Sequence, residues 1–174
     1  YEDITSTQID VAFEIVESPV SDLIGAHAVI WTTTPWTIPV NQALAYGPDT
    51  TYIALAFEPM LHRSSETSDE IASLKSLHRQ LSRPILIAED RWIEFRRKLP
   101  RHIGQGEVEL NHRQIWRGKG SDLAGTKVRH PMHKLGGFYE TLRPMLPGDF
   151  VTTDSGTGLV HMAPDHGEDD FDLC

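Results

Sequence analysis

His27-Ala28-Val29-Ile30-Trp31-Thr32-Thr33-Thr34-Pro35-Trp36-Thr37, running on through Ile38-Pro39-Val40 to Asn41, changes character midway. The first half is β-branched and aromatic, as in a strand buried on both faces. The second half spends hydroxyls, indoles and prolines where a core strand would simply continue. Alternation along the strand puts Thr32 and Thr34 on one face. Pro35 disfavours helix at Thr34, yet Thr34 can cap a short turn that has Pro35 at its first position, and Pro39 limits that turn. Hydroxyls donate and accept, and backbone N–H groups released from pairing can face a ligand. Taken alone, a threonine-rich strand end with a helix cap explains these residues as well as a binding site does. Trp31 and Trp36 are expected to pack around the segment.

Outward from this stretch, the chain alternates short strands with turns. Ile9, Val11, Phe13 and Ile15 recur at every second position, the period of a half-buried strand. Gly47-Pro48-Asp49 marks a turn, followed by a strand over 51–57. Residues 60–82 differ: a polar loop, then Ile71, Leu74, Leu77 and Leu81 at helical spacing. They read as a surface insertion carrying one amphipathic helix. A short strand follows at 85–88, and Ala88, Trp92, Phe95 and Leu99 share one helical stripe. Beyond Gly104, glycine and proline punctuate candidate strands at 107–110, 126–130, 150–153 and 158–162. The pattern has no βαβ alternation. It predicts one α+β, β-rich domain over 1–174, a bent sheet or open barrel with a few flanking helices.

Composition narrows the function. The 174 residues are 39% hydrophobic and 24% charged, an ordinary globular balance with enough chain for a real core. No apolar run approaches the ~20 residues of a membrane span. The formal net charge of -9 disfavours a protein whose main task is gripping a nucleic-acid backbone. A short single-stranded end is the more compatible nucleic-acid partner. The single cysteine, Cys174, excludes an internal disulfide framework and a cysteine zinc site. The first residue, Tyr1, suggests a piece of a longer protein.

A second dense stretch, Gly156-Thr157-Gly158-Leu159-Val160-His161-Met162-Ala163-Pro164-Asp165-His166-Gly167-Glu168-Asp169-Asp170, lies far along the chain. Its glycines allow close backbone approach or a bulge. Acids in the first turn of a following helix would explain Glu168 and Asp169. His161, ending an apolar strand, needs a partner that this account does not supply. His130, His133, His161 and His166 lack helical metal-site spacing, and no metal is assigned. A nucleophile-elbow serine is absent, so water is the expected nucleophile if the chain is a hydrolase.

Together, WTTTPWTIPVN at 31–41 and GTGLVHMAPDHGEDDF at 156–171 resemble the editing domain of isoleucyl-tRNA synthetases, the connective peptide inserted into a class I catalytic core. The resemblance covers nearly the whole chain in order. Valyl and leucyl relatives typically carry arginine after the threonine pair, so Thr34-Pro35-Trp36 points to the isoleucyl branch. Asp165 departs from the glycine usual in bacterial relatives. The resemblance implies a catalytic set of Thr32, Thr33, Thr34, His161 and Asp170. It implies substrate binding by Thr32, Thr33, Asn41, Gly158, His161 and Asp170, with His161 excluding the larger amino acid and Asp170 binding the α-ammonium group. The implied reaction is hydrolysis of valine misattached to the tRNA for isoleucine, and of the adenylate before transfer. The partners implied are the 3′ end of that tRNA and the rest of the synthetase in cis, with no membrane and a monomeric domain. No cofactor is expected in this domain; ATP, and zinc where the parent has it, belong elsewhere in the parent. An intracellular setting follows, cytoplasm and mitochondrial matrix being undistinguished. The alternatives are a valyl- or leucyl-type editing domain and a non-catalytic module that binds a tRNA end or an amino acid. Arg91, Arg96, Arg97, Lys98, Arg113, Arg117 and Lys119 form either a basic rim or plain solvated surface.

Overall fold

The structure is a computed structural model and describes residues 8–62, 68–80, 82–100, 102–103 and 106–164. Its strands are β1 (Ile9–Glu17), β2 (His27–Thr32), β3 (Ala43–Tyr46), β4 (Thr51–His62), β5 (Ile85–Ala88), β6 (His102–Ile103), β7 (Gly106–Lys119), β8 (Lys127–Arg129), β9 (Arg143–Pro147) and β10 (Leu159–Met162). Among the described residues two α-helices accompany them, α1 (Ser68–Gln80) and α2 (Trp92–Lys98). Among the described residues the strands join in one mixed open sheet, in the order β10-β3-β9-β8-β1-β2-β5-β4-β7-β6. None of the described helices is long and apolar enough to cross a membrane.

The sheet works with both faces. Phe13, Ile15, Ala28, Ile30, Leu44, Tyr46, Tyr52, Ala54, Leu86, Val128, Met145 and Leu159 turn toward one core. Strands from almost every part of the sheet feed it, so the sheet must curl around that core. The other parity, Val29, Ile53, Leu55, Phe57, Ile85 and Ile87, packs under Phe95, Trp92 and Leu99 of the α2 segment. Burial on both sides is why β2 and β5 read as unbroken apolar runs. The curl also lays β10 across β2, although the two strands are not hydrogen-bonded neighbours.

Several expectations need correction. The strand anticipated at 107–110 is the start of β7, which continues to Lys119 against β4. The strand anticipated at 150–153 is not one: the Val151 N–H closes a turn on the Gly148 carbonyl at 3.1 Å, and its side chain fills a small third core with Ala43, Ala45 and Met162. Three of the described strands went unanticipated, β3, the two-residue β6 and the proline-bearing β9. Ala88 belongs to β5 and the inner core, so the helical stripe starts at Trp92.

Candidate functional site

Parity builds the site before any contact is considered. Thr32 continues the inward set of Ala28 and Ile30 along β2, and His161 continues that of Leu159 along β10. With β10 lying across β2, both side chains extend the inner core toward one end of the curled sheet.

The threonines are tied together locally. The Thr34 N–H donates to Thr32 Oγ1 at 3.1 Å, and the two hydroxyl oxygens lie 3.1 Å apart. Pro35 opens the expected short turn, a 3-10 helix over Pro35–Val40. Thr34 caps it by position only, making no side-chain cap bond. The turn's three-residue period brings Thr37 back beneath Thr34, so that Thr37 Oγ1 donates to the Thr34 carbonyl at 2.7 Å. A hydroxyl has one proton. Committed to that carbonyl, it leaves Thr37 Oγ1 as acceptor for His161 Nε2, 2.9 Å away. The contact therefore favours Nε2–H imidazole, its ring orientation set by Thr37 across 124 residues of chain.

The two signatures meet at a second place. Gly156, at φ +70, lies flat against the Trp31 indole; a Cβ there would come within 3.2 Å of the ring. Arg91 fixes the same loop, Nε donating to the Gly156 carbonyl at 3.0 Å and Nη1 to the carbonyls of Thr153 and Asp154 at 3.2 and 3.3 Å. Gly158, at φ +76, is obligatory on two counts, since a Cβ would stand 2.4 Å from Ala88 Cβ. Its carbonyl accepts from the buried Tyr52 hydroxyl at 2.6 Å, which in turn accepts from the Gly47 N–H at 3.0 Å. Burial pushes the Tyr52 phenol up to about 12, so it remains a donor at any working pH.

Asn41 is fully buried. Its Nδ2 donates to the Ala43 carbonyl at 2.8 Å and more weakly to the Met162 carbonyl at 3.4 Å. Both donors are thus aimed at the frame, joining the end of the threonine turn to β3 and β10. His130 is buried as well, and its tautomer is legible: Nδ1 accepts from the Met132 N–H at 3.0 Å, leaving Nε2–H for the Ile38 carbonyl at 2.9 Å. Burial, with Arg143 and His133 nearby, holds its pKa below the ordinary 6.5 despite that carbonyl bond.

Of the residues singled out in the sequence, Thr32, Thr34 and His161 come together, linked through Thr37. Thr33 is half-buried and Asn41 sits behind the turn. Gly158 leads into β10. Asp165, His166, Glu168, Asp169 and Asp170 lie outside the described residues. Trp31 packs as expected, whereas Trp36 is 69% exposed and packs little. Among the described residues no group of three histidine, cysteine or acidic side chains is placed to hold a metal. The basic residues are largely committed: Arg91 to the 153–156 loop, Lys98 to Asp10, Arg117 to Glu89 and Lys119 to the Asp49 carbonyl. Sequence reasoning missed Thr37, Tyr52 and Arg143. Thr37 carried a usable signal, its three-residue offset from Thr34 in a proline-nucleated turn.

Relatives exist along the whole chain. It is 44% identical over 174 residues to the isoleucine–tRNA ligase of Zymomonas mobilis, and 47% identical over 176 aligned positions to that of Gluconobacter oxydans. Each alignment covers 100% of this chain, which spans only 15% and 16% of those proteins. No family model matches the chain. In fold it is similar to the crystal structure of the P. knowlesi cytosolic leucyl-tRNA synthetase editing domain, with TM-score 0.60 at 12% identity, covering 96% of this chain and 62% of that one. The corresponding P. falciparum domain gives TM-score 0.55 at 14% identity, covering 84% and 44%.

Proposed function

Because the chain corresponds along its whole length to an internal segment of the isoleucine–tRNA ligases and carries a synthetase editing-domain fold, we propose that it hydrolyses valine misattached to the 3′ end of the tRNA for isoleucine. The observation that carries this reading is the 2.9 Å contact between Thr37 Oγ1 and His161 Nε2. It sets an oriented imidazole beside the Thr32 and Thr34 hydroxyls, as a small, size-limited pocket requires.

A hydrophobic synthetic site gains only about 1–3 kcal/mol from one methylene, and isoleucine against valine is the standard illustration of that limit rather than a result of this structure. A second site must therefore admit valine and refuse isoleucine. Refusal by overpacking is steep where the wall is held rigidly. His161, braced by Thr37, is that wall in this reading.

The ester needs modest assistance. Water is the nucleophile. The Thr32 and Thr34 hydroxyls and nearby N–H groups position it and stabilise the developing oxyanion. The substrate's α-ammonium group is cationic near neutral pH, and Asp170 is assigned to it through a charge-assisted hydrogen bond. An ordinary carboxylate is too weakly basic to be the better choice for deprotonating water. Valyl-adenylate presents the same acyl group and is the second substrate. A single-stranded acceptor end fits a chain of net charge -9, since few phosphates need to be met. Residues 60–82, with α1, are proposed as a surface insertion without a part in this chemistry.

The test uses the full-length synthetase. Asp170→Ala is expected to abolish hydrolysis of valyl-tRNA while aminoacylation continues; unchanged hydrolysis removes the anchor role. His161→Ala should expose correctly charged isoleucyl-tRNA to attack. Binding of a non-hydrolysable valyl-adenosine analogue without any turnover by the wild-type enzyme would make the domain a binding module instead.

A further inference from the structure

We propose that Arg143 is a positioning residue for size discrimination, acting on His161 through the Asn41–Gln42 peptide. This rests on the reading of His161 as the wall. Arg143 opens β9 and is 3% exposed. Nε donates to the Asn41 carbonyl at 2.9 Å, Nη1 to the Thr141 carbonyl at 2.9 Å and Nη2 to the Phe138 carbonyl at 2.8 Å. The Phe138 ring covers the guanidinium, its centroid 4.3 Å from Cζ. Among the described residues its hydrogen-bond acceptors are neutral carbonyls. A buried cation whose acceptors among the described residues are all carbonyls is a costly way to fill a core, so its hydrogen bonds must supply something packing alone does not.

Two of the three bonds are local, to residues two and five positions away. The third spans 102 residues to Asn41. That carbonyl belongs to the peptide whose N–H is that of Gln42, and the Gln42 N–H donates to the Met162 carbonyl at 2.9 Å. One face of a rigid peptide is thus held by Arg143, and its other face holds the backbone immediately after His161. The Asn41 N–H meanwhile closes the 3-10 turn on the Ile38 carbonyl at 3.1 Å, and that turn carries Thr37, the hydrogen-bond partner of the His161 ring. Two supports of the imidazole among the described residues, one through its ring and one through its strand, converge on Asn41. Arg143 fixes that point from outside the pocket. A wall that rejects one methylene must not yield by even a fraction of that width, and close-packed surroundings transmit any slack to it.

The experiment compares deacylation of valyl-tRNA and isoleucyl-tRNA by the full-length synthetase. Arg143→Lys keeps the charge and most of the stem but loses the fork. It is expected to keep valyl-tRNA hydrolysis within about threefold of wild type while raising isoleucyl-tRNA hydrolysis about tenfold or more. Arg143→Gln, neutral and shorter, should do the same. Phe138→Ala removes the covering ring but leaves the Asn41 bond, and should keep the cognate ester protected. Cognate protection within about twofold of wild type in a folded Arg143 variant overturns the proposal. So does equal loss of protection in Phe138→Ala, which would indicate general loosening. Loss of the cooperative thermal transition in both Arg143 variants makes the role purely structural and also overturns it. A wild-type enzyme inert toward valyl-tRNA sinks the functional reading and this inference together; an active wild type with unaltered selectivity in Arg143→Lys sinks this inference alone.

Discussion

At the scale of single residues, the candidate site depends on one hydroxyl whose proton has one place to go. Thr37 Oγ1 donates to the Thr34 carbonyl and accepts from His161, so it acts as a hinge pin between the two signatures. Thr37→Val keeps the volume and removes both bonds. If His161 is the wall of an editing pocket, this should raise hydrolysis of correctly charged isoleucyl-tRNA by the full-length synthetase about tenfold or more, given about 1–3 kcal/mol for unsatisfied buried partners, while Thr37→Ser stays close to wild type. Equal rates for the valine and serine variants would show that the hydroxyl is dispensable. Tyr52→Phe deletes one buried oxygen and strands the Gly158 carbonyl and the Gly47 N–H. A loss of about 1–3 kcal/mol in urea unfolding is expected. The sequence announced Thr32, Thr34 and His161 because their residue types are odd for their places. It did not announce Tyr52, since an aromatic residue at an alternate strand position looks like any core tyrosine, and only the fold reveals where its hydroxyl points.

At the scale of elements, legibility followed periodicity. β1, α1 and α2 repeat cleanly, β2 and β5 are unbroken apolar runs, and each was anticipated. β9, Arg143-Pro144-Met145-Leu146-Pro147, carries two prolines and so reads as a loop. It is nonetheless a strand because its pairing is staggered: the first half pairs with β8 and the second with β3. The donors come from Met145, to the Thr126 carbonyl at 2.9 Å, and from Gly148, to the Tyr46 carbonyl at 2.8 Å, so neither proline is asked for an N–H. The anticipated strand at 150–153 failed in the opposite direction, for Phe150-Val151 has strand composition but serves a turn. The loop before β10 offers a sharp test. Gly158→Ala meets a positive φ and a clash with Ala88 at once, and should cost about 2–4 kcal/mol. Adding Ala88→Gly relieves only the clash and should recover part of that loss in thermal unfolding. Full recovery would mean that the backbone conformation carries no penalty.

At the scale of the whole molecule, two histidines couple the fold to pH. His130 is held below its ordinary value chiefly by burial, and His27 likewise by burial, with Glu14 opposing and Arg83 adding to the effect. Each therefore takes up a proton more readily unfolded than folded. Their contribution is fully present above the unfolded value of 6.5 and is lost as pH falls through it toward the lower folded values. The melting temperature should drop between about pH 7.5 and about pH 5.5, with a shallower drop in His130→Gln; an unchanged slope would release His130 from this role. The overall architecture was legible as a β-rich curled sheet, but not the crossing of β10 over β2, because no periodicity encodes which distant strands meet. That crossing has a consequence during synthesis. β3 is fully buried and hydrogen-bonded on both edges, by β9 and by β10. The ribosome makes β10 more than a hundred residues later, so an apolar four-residue edge stays open until nearly the whole segment has emerged. Nascent chains stalled before Leu159 should therefore be chaperone clients and aggregate when released, whereas those extended past Met162 should not.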